Sequence, residues 1–259
     1  MTYCVGVLVD EGLVMLSDSR TNAGVDNIAT YRKMTVWERP GDRVFCLLSA
    51  GNLAISQAVV NLIEEWNGPD NRGDGGLFGV TSMFRAARLV GSAIRDVYEA
   101  DGKALERHDQ EFNASFLLGG QLAGGRTRLF QIYAEGNFIQ ASEDTPFLQV
   151  GEHKYGKPIL DRAVTSEMSL KDATKLALVS MDSTLRSNLS VGFPVDLLVY
   201  QDGALRTRLR RTLDEDDAYF SDIRDRWSLA LRRAYAELPD PDWFDETLAV
   251  IRDINDGKS

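Results

Sequence analysis

The residues that could carry out chemistry lie in the first fifth of the chain. Thr2 follows Met1, and once Met1 is removed Thr2 carries a hydroxyl and a free α-amine on one residue. A hydroxyl whose proton an adjacent amine can accept is a nucleophile with its own general base. Asp18 ends one apolar run, Lys33 precedes another stretch of alternating residues, and Gly51 follows a third run. If these residues converge, the pattern predicts attack of Thr2 on an amide carbonyl.

Antiparallel β-structure is predicted for the segments that must position these residues. Residues 3–9 and 13–17 are apolar and β-branched, and the Glu11-Gly12 pair between them favours a hairpin. A turn at 39–42 and an apolar run at 43–48 add a further strand. We therefore expect no helix in the first fifty residues.

Runs of helices and strands alternate in the rest of the chain. Apolar residues at helical spacing predict helices, and short apolar runs between glycine-rich turns predict strands. The predicted helices are 53–66, 81–100, 159–162 and 169–188, the last with Ser169 as its N-cap; the predicted strands are 114–120, 127–133, 137–141, 148–151 and 195–200; residues 67–79 are predicted as a loop. This order favours packed layers of sheet and helix over a parallel βαβ repeat.

Composition excludes several classes of function. The net charge of −10 over 259 residues argues against binding to nucleic acid. No run approaches the roughly 18 apolar residues of a membrane span, and the start lacks the pattern of a signal peptide, so we expect a cytoplasmic protein. Cys4 and Cys46 lie in apolar runs and are predicted to be buried, reduced thiols. His108 and His153 are too isolated for a metal site, and we expect no metal and no cofactor.

Residues 205–259 form a C-terminal extension of the domain at 1–204. Apolar residues recur on one face of a predicted helix at 217–238, and a second short helix is predicted at 243–254. An amphipathic terminal helix is expected to dock on its own domain or on a neighbouring subunit.

As a set, these residues are similar to a known family. Thr2, the Asp18-Ser19-Arg20 stretch, Lys33 and the Ala50-Gly51 pair resemble the β-type subunits of the proteasome family, which are N-terminal nucleophile hydrolases. The closest likeness is to the bacterial ancestral β-subunit branch, Anbu. The resemblance covers residues 2–200 in segment order, and the extension fits that branch. It implies an α+β fold, a four-layer αββα sandwich with a C-terminal helical extension.

The resemblance also implies a role for each site residue. Thr2 matches the nucleophile, Asp18 the buried carboxylate, Lys33 the lysine (with Arg32 as the alternative), Gly51 the oxyanion-hole and substrate-binding glycine, Asn22 the backbone that pairs with an extended substrate, and Ser190 the serine that supports the threonine. Around them lie Ser19, Ser187 and Glu152. Two of these depart from the family pattern: Ser187 stands where the family has aspartate, and Glu152 where it has a supporting serine.

Three functions follow from the resemblance. The first is a threonine-type peptidase that cleaves peptide or amide substrates within a ring or spiral homo-oligomer, with no nucleic-acid or membrane partner. The second is an assembly subunit with weak or no proteolysis, which the changes at Ser187 and Glu152 favour. The third is a hydrolase of small amides. Retention of Met1 would block Thr2, and neither a regulatory partner nor an ATPase is specified by the sequence.

Overall fold

The computed structural model describes residues 2–22, 28–68, 76–102 and 112–244. Strands occupy three parts of the described chain, at 3–51, 114–151 and 195–213. The strands are β1 Tyr3–Val9, β2 Gly12–Asp18, β3 Arg20–Asn22, β4 Ile28–Thr30, β5 Met34–Arg39, β6 Arg43–Gly51, β7 Ala114–Leu122, β8 Arg128–Ile132, β9 Phe138–Gln140, β10 Phe147–Gly151, β11 Val195–Gln201 and β12 Leu209–Leu213. The predicted hairpin is confirmed, since β1 and β2 pair antiparallel with Val9 opposite Gly12.

All of the described helices except Gly76–Gly79 agree with the predictions in position. They are α1 Leu53–Asn67, α2 Gly76–Gly79, α3 Met83–Val97, α4 Lys157–Ala163, α5 Leu170–Ser187 and α6 Ala218–Ala236. A π-helical turn, Tyr98–Gly102, extends α3, and α2 lies in a segment predicted to be a loop. The helix predicted at 243–254 lies largely outside the described residues. Ser169 caps α5 as predicted, because its side chain accepts a hydrogen bond from the Asp172 N–H.

Two antiparallel sheets form the centre of the fold. The first has the strand order β10-β1-β2-β11-β12 and the second the order β5-β6-β7-β8-β9; β3 and β4 form a separate hairpin. An apolar layer that includes Met15, Cys46 and Leu198 lies between the sheets. Helices α1 and α3 cover the second sheet, and helices α4, α5 and α6 cover the first. The predicted four-layer αββα sandwich is therefore confirmed.

The central strands are buried on both faces, which explains their continuous apolar runs. In β2, Met15 points into the layer between the sheets and Leu16 into the layer beneath the helices. All seven residues of this strand are buried. Cys4 and Cys46 are free and buried, as predicted. Burial on both faces fixes the register of β2, because a slip of one residue would exchange its two apolar faces.

The start of the extension is part of the first sheet. Strand β12 pairs with β11 along its whole length, with Val195 opposite Leu213. No strand is predicted here from sequence, because Leu209–Leu213 carries no apolar alternation; in the structure four of its five residues are exposed. Helix α6 then packs on the first sheet's helical layer through Phe220, which is fully buried. None of the described helices is long and apolar enough to cross a membrane.

Replacing Asp217 with alanine is expected to lower the free energy of unfolding by about 1 kcal/mol, the usual cost of losing an N-cap. The Asp217 carboxylate accepts a hydrogen bond of 2.9 Å from the Phe220 N–H at the start of α6. Urea denaturation monitored by circular dichroism measures the change. Asp216→Ala, an exposed neighbour, makes the same change in charge without touching the cap. Equal losses in the two variants would contradict the cap assignment.

Candidate active site

A buried ion pair joins the two sheets at one end of the sandwich. Asp18 is the last residue of β2 and is fully buried, and Lys33, just before β5, is 5% exposed. The Lys33 Nζ donates to Asp18 Oδ1 at 2.7 Å and to the Arg20 carbonyl oxygen at 2.7 Å. A buried ammonium and a buried carboxylate each need the other to offset the loss of hydration. The pair therefore fixes the position of a cation beside the start of β1.

Backbone hydrogen bonds complete the surroundings of the Asp18 carboxylate. Oδ1 also accepts from the Tyr3 N–H at 3.0 Å, and Oδ2 accepts from the Gly192 N–H at 3.4 Å. Burial raises the pKa of the Asp18 carboxyl, and the charge and hydrogen bond of Lys33 oppose that rise. The Asp18 carboxylate thus brings together three parts of the chain: Lys33, Tyr3 next to Thr2, and the loop that contains Gly192.

Thr2 is held by the edge of the first sheet. Tyr3 pairs with Gly151 in the ladder between β1 and β10, and the Glu152 N–H donates to the Thr2 carbonyl oxygen at 2.6 Å. Gly151 has φ +87°, and a Cβ there would lie 2.0 Å from the Thr2 carbonyl oxygen. Only glycine allows this close approach of the two backbones. The backbone of Thr2 is therefore fixed on the β10 side.

Thr2 and Lys33 line a cleft of about 800 Å³. The opposite wall comes from the second sheet, where Gly51 ends β6 and Asn52 caps α1 by accepting from the Ala54 N–H at 2.9 Å. The cleft is lined by Thr2, Arg20, Thr21, Lys33, Ser49, Ala50, Gly51, Asn52, Leu53, Ser56, Asn113, Ser115 and Gly151. A hydroxyl, a cation and a glycine backbone thus face one solvent-accessible space.

Solved structures related to this chain share its fold and much of its sequence. The structure of an Anbu (Gly-1) mutant from Hyphomicrobium sp. strain MC1 is 51% identical, covers 93% of this chain and 100% of that chain, and has a TM-score of 0.88. The chain belongs to the Anbu family.

Two further Anbu structures support the assignment. Anbu (ancestral beta-subunit) from Yersinia bercovieri is 44% identical, covers 93% of this chain and 99% of that chain, and has a TM-score of 0.86. The Anbu of a helical assembly from Pseudomonas aeruginosa is 49% identical, with 92% and 98% covered and a TM-score of 0.86. The chain matches no protein-family model and no curated protein.

The loop at 188–194 of this Anbu chain is hydrogen-bonded to three consecutive residues, Asp18, Ser19 and Arg20. Gly192 donates its N–H to Asp18, the Ser19 hydroxyl donates to the Pro194 carbonyl at 2.5 Å, and Arg20 Nη1 donates to the Leu189 carbonyl at 3.0 Å. A Cβ on Gly192 would lie 2.2 Å from the Arg20 guanidinium carbon. The Asp18-Ser19-Arg20 stretch therefore positions the loop at 188–194 as well as carrying the carboxylate.

The other site residues predicted from sequence lie at different depths. Lys33 rather than its alternative Arg32 reaches Asp18, because Arg32 is exposed. Asn22 ends β3, and its backbone pairs with Ile28. Ser190 is half-buried, and its N–H donates to the Asn188 side chain. Neither Asn22 nor Ser190 is among the partners described for Asp18 and Lys33.

Glu152 and Ser187, the two residues that depart from the pattern of the proteasome family, have different surroundings. Glu152 is buried beside Thr2, whereas Ser187 is exposed at the last residue of α5. Of the described residues, neither Glu152 nor Ser190 is among those that line the cleft. The described part of the chain has no group of three His, Cys, Asp or Glu side chains that could hold a metal ion. His153 is exposed, and His108 lies outside the described residues.

Sequence reasoning assigned no role to three residues that shape the site. Gly151 permits the approach to Thr2, Arg20 holds the 188–194 loop, and Asn188 hydrogen-bonds both Glu152 and Ser190. A glycine within a predicted strand is a signal of close backbone approach, and Gly151, the last residue of the strand predicted at 148–151, could have been indicated by it. No local pattern indicates the contact between Asn188 and Glu152, because the two residues are 36 positions apart.

Proposed function

We propose that this Anbu protein is a threonine-type peptidase or amidase in which Thr2, freed of Met1, is the nucleophile. The observation that carries the proposal is the buried Asp18–Lys33 pair at the wall of a cleft that Thr2 and Gly51 also line. Replacing both partners of a buried ion pair with well-packed apolar residues often costs no stability, so the presence of the pair beside a terminal hydroxyl residue favours a chemical role.

The proposed reaction begins with deprotonation of Thr2. The α-amine, with an unperturbed pKa of about 8, accepts the proton of Oγ directly or through one water. The Lys33 ammonium disfavours a second positive charge beside it and so keeps the amine neutral. Oγ bonds to the substrate's carbonyl carbon. The C–N bond then breaks as the Thr2 α-ammonium passes its proton to the leaving amine. Water then hydrolyses the acyl ester.

The developing oxyanion needs a hydrogen-bond donor across the cleft, and we assign that role to the Gly51 N–H. Gly51 has φ +106°, a backbone conformation that residues with a side chain rarely adopt. A Cβ there would lie 2.3 Å from the Asn113 carbonyl oxygen. Loss of one such donor typically costs about 10² to 10³ in rate. The Gly51 backbone turns within the wall of the cleft, where an extended substrate would pass.

Self-assembly is the second part of the proposal. The Pseudomonas aeruginosa relative is described as a helical assembly. In this chain, α6 and the residues after it expose large apolar side chains, which monomers seldom leave in one region. They are Tyr219, Leu229, Leu231, Tyr235, Leu238, Trp243 and Phe244. We propose that this surface contacts another copy of the chain; a monomer in sedimentation velocity would contradict it.

Labelling by a peptide epoxyketone tests the chemistry. This electrophile adds to both the hydroxyl and the α-amine of a terminal threonine, so the adduct has the summed mass of protein and reagent. We expect intact mass spectrometry to show loss of Met1 and one adduct, and Thr2→Ala to show none. Alanine is also small, so the variant should lose Met1 equally.

Other outcomes separate the alternatives. A protein with a free Thr2 that forms no adduct with epoxyketones overturns the nucleophile assignment and favours an assembly subunit without cleavage. The substitution of Glu152 for the family's serine is the observation that favours this second function. Adduct formation together with cleavage of small amides but not of peptides would assign the third function, a small-amide hydrolase.

A further inference from the structure

Glu152 is a buried carboxylate beside the proposed nucleophile and is not used in the reaction above. Its residue is 6% exposed, and its backbone N–H holds the Thr2 carbonyl. Its side chain accepts two hydrogen bonds, one from the Lys154 N–H at 3.0 Å and one from Asn188 Nδ2 at 2.8 Å. The Lys154 N–H, followed by the Asn188 side chain, lowers the pKa of Glu152, so that the carboxylate is charged at neutral pH.

Asn188 connects this carboxylate to the loop on the other side of Thr2. Its side chain is buried, its Nδ2 donates to Glu152, and its Oδ1 accepts from the Ser190 N–H at 2.9 Å. The same loop donates the Gly192 N–H to Asp18. A path of hydrogen bonds therefore runs from the Thr2 carbonyl through Glu152 and Asn188 into the loop that closes on Asp18.

We infer that Glu152 and Asn188 form a positioning pair that fastens the 151–154 turn to the 188–194 loop and so fixes Thr2 relative to Asp18. The inference rests on the proposed function, because positioning is measured through the reactivity of Thr2. The pair supplies a link between the two loops through Glu152, one of the two positions where this chain departs from the pattern of the wider proteasome family. Its polarity is defined: Glu152 accepts, and Asn188 donates.

Reversing that polarity gives a direct test. In Glu152→Gln, the introduced amide presents an NH₂ group either to the Asn188 Nδ2 or to the Lys154 N–H, so one donor faces another donor. In Asn188→Asp, two carboxylates face each other and repel. In the double variant, the introduced glutamine donates to the introduced aspartate while its oxygen accepts from Lys154. The second aspartate oxygen still accepts from the Ser190 N–H.

The rate of epoxyketone labelling of Thr2 is the readout. We expect each single variant to react about tenfold or more slowly than the unaltered protein, since hydrogen bonds to charged groups are among the stronger ones. The double variant should return to within about threefold of the unaltered rate. Glu135→Gln with Asn137→Asp makes the same chemical changes on an exposed turn and should leave the rate unchanged.

The pH profile separates positioning from a general loss of structure. The carboxylates that face each other in Asn188→Asp share a proton more readily at low pH, because a like charge raises a carboxyl pKa. The ratio of the variant's rate to the unaltered rate should therefore rise as pH falls from 8 to 6. Glu152→Gln lacks the second carboxyl, so its ratio should stay flat.

The outcomes are distinct from those that bear on the proposed function. If the unaltered protein with a free Thr2 is not labelled, the proposed function is overturned and the positioning role with it. If the unaltered protein is labelled and both single variants react at its rate, the positioning role alone is overturned. A double variant as slow as the slower single variant also overturns it, because reversed polarity then restores nothing.

Discussion

Lys33→Met is expected to lower the free energy of unfolding by about 3–5 kcal/mol at pH 7 and to abolish labelling of Thr2. The substitution leaves the fully buried Asp18 without its counter-ion, and removing one partner of a buried pair typically costs this much. It also removes the hydrogen bond that Lys33 donates to the Arg20 carbonyl. Chemical denaturation gives the stability, and the epoxyketone adduct gives the reactivity.

The loss of stability in Lys33→Met should depend on pH in a defined direction. Burial raises the pKa of Asp18, and without Lys33 the main effect that opposes this rise is gone. The unfolded carboxyl has a pKa of about 3.9, so above that pH the unfolded chain has released a proton that the folded variant keeps. Stability of the variant therefore falls as pH rises from about 4, and the deficit should be smaller at pH 5 than at pH 7.

Two further variants identify the cause. Lys171→Met removes an exposed lysine and should change stability by less than about 0.5 kcal/mol. Asp18→Asn combined with Lys33→Met should recover part of the loss, because no unpaired charge then remains in the interior. A deficit for Lys33→Met that stays constant between pH 5 and pH 7 would contradict this account.

Gly151→Ala is expected to slow labelling of Thr2 by about 10²-fold, the order of rate lost when reacting groups move by about 1 Å. The alanine Cβ would lie 2.0 Å from the Thr2 carbonyl oxygen, and the residue after Thr2, Tyr3, pairs with residue 151 in the sheet. The neighbouring backbone must therefore move, and Thr2 moves with it. Labelling kinetics measured with intact mass spectrometry gives the factor.

Gly124→Ala is a matched control for backbone strain. Gly124 has φ +75°, close to the +87° of Gly151, but a Cβ there meets nothing within 4 Å. An alanine in this left-handed conformation costs about 1–2 kcal/mol. We expect Gly124→Ala to lose stability by that amount and to label at the unaltered rate. Unaltered labelling in Gly151→Ala would contradict the close contact with Thr2.

The layers of the fold were predictable from local patterns. Alternating or continuous apolar runs of five to nine residues marked most strands, and helical spacing with an N-cap marked α5. Strand β12 was not predictable, because Leu209-Arg210-Arg211-Thr212-Leu213 has one buried residue and gains its place from pairing with β11. The short helix α2 was likewise missed, since its sequence, Gly76-Leu77-Phe78-Gly79, has glycine at both ends and too few residues for a periodic signal.

The site was predictable where residue type alone limits the chemistry. Thr2, Asp18 and Lys33 stand at the ends of recognisable strands, and their types suggest a nucleophile, an acid and a cation. Contacts that join distant segments had no such signal. Glu152 and Asn188 are 36 residues apart, and Arg20 and Leu189 are 169 apart, so their pairing depends on the assembled sandwich.

The layer between the sheets has a consequence for how this chain can vary. Asp18 ends β2 and Thr2 directly precedes β1 in the first sheet, whereas Gly51 ends β6 and Lys33 directly precedes β5 in the second. The layer that includes Met15 and Cys46 sets the spacing and slide of one sheet over the other. The layer between the sheets therefore aligns the two halves of the site. Substitutions in this layer, even far from the cleft, are expected to change the reaction rate of Thr2.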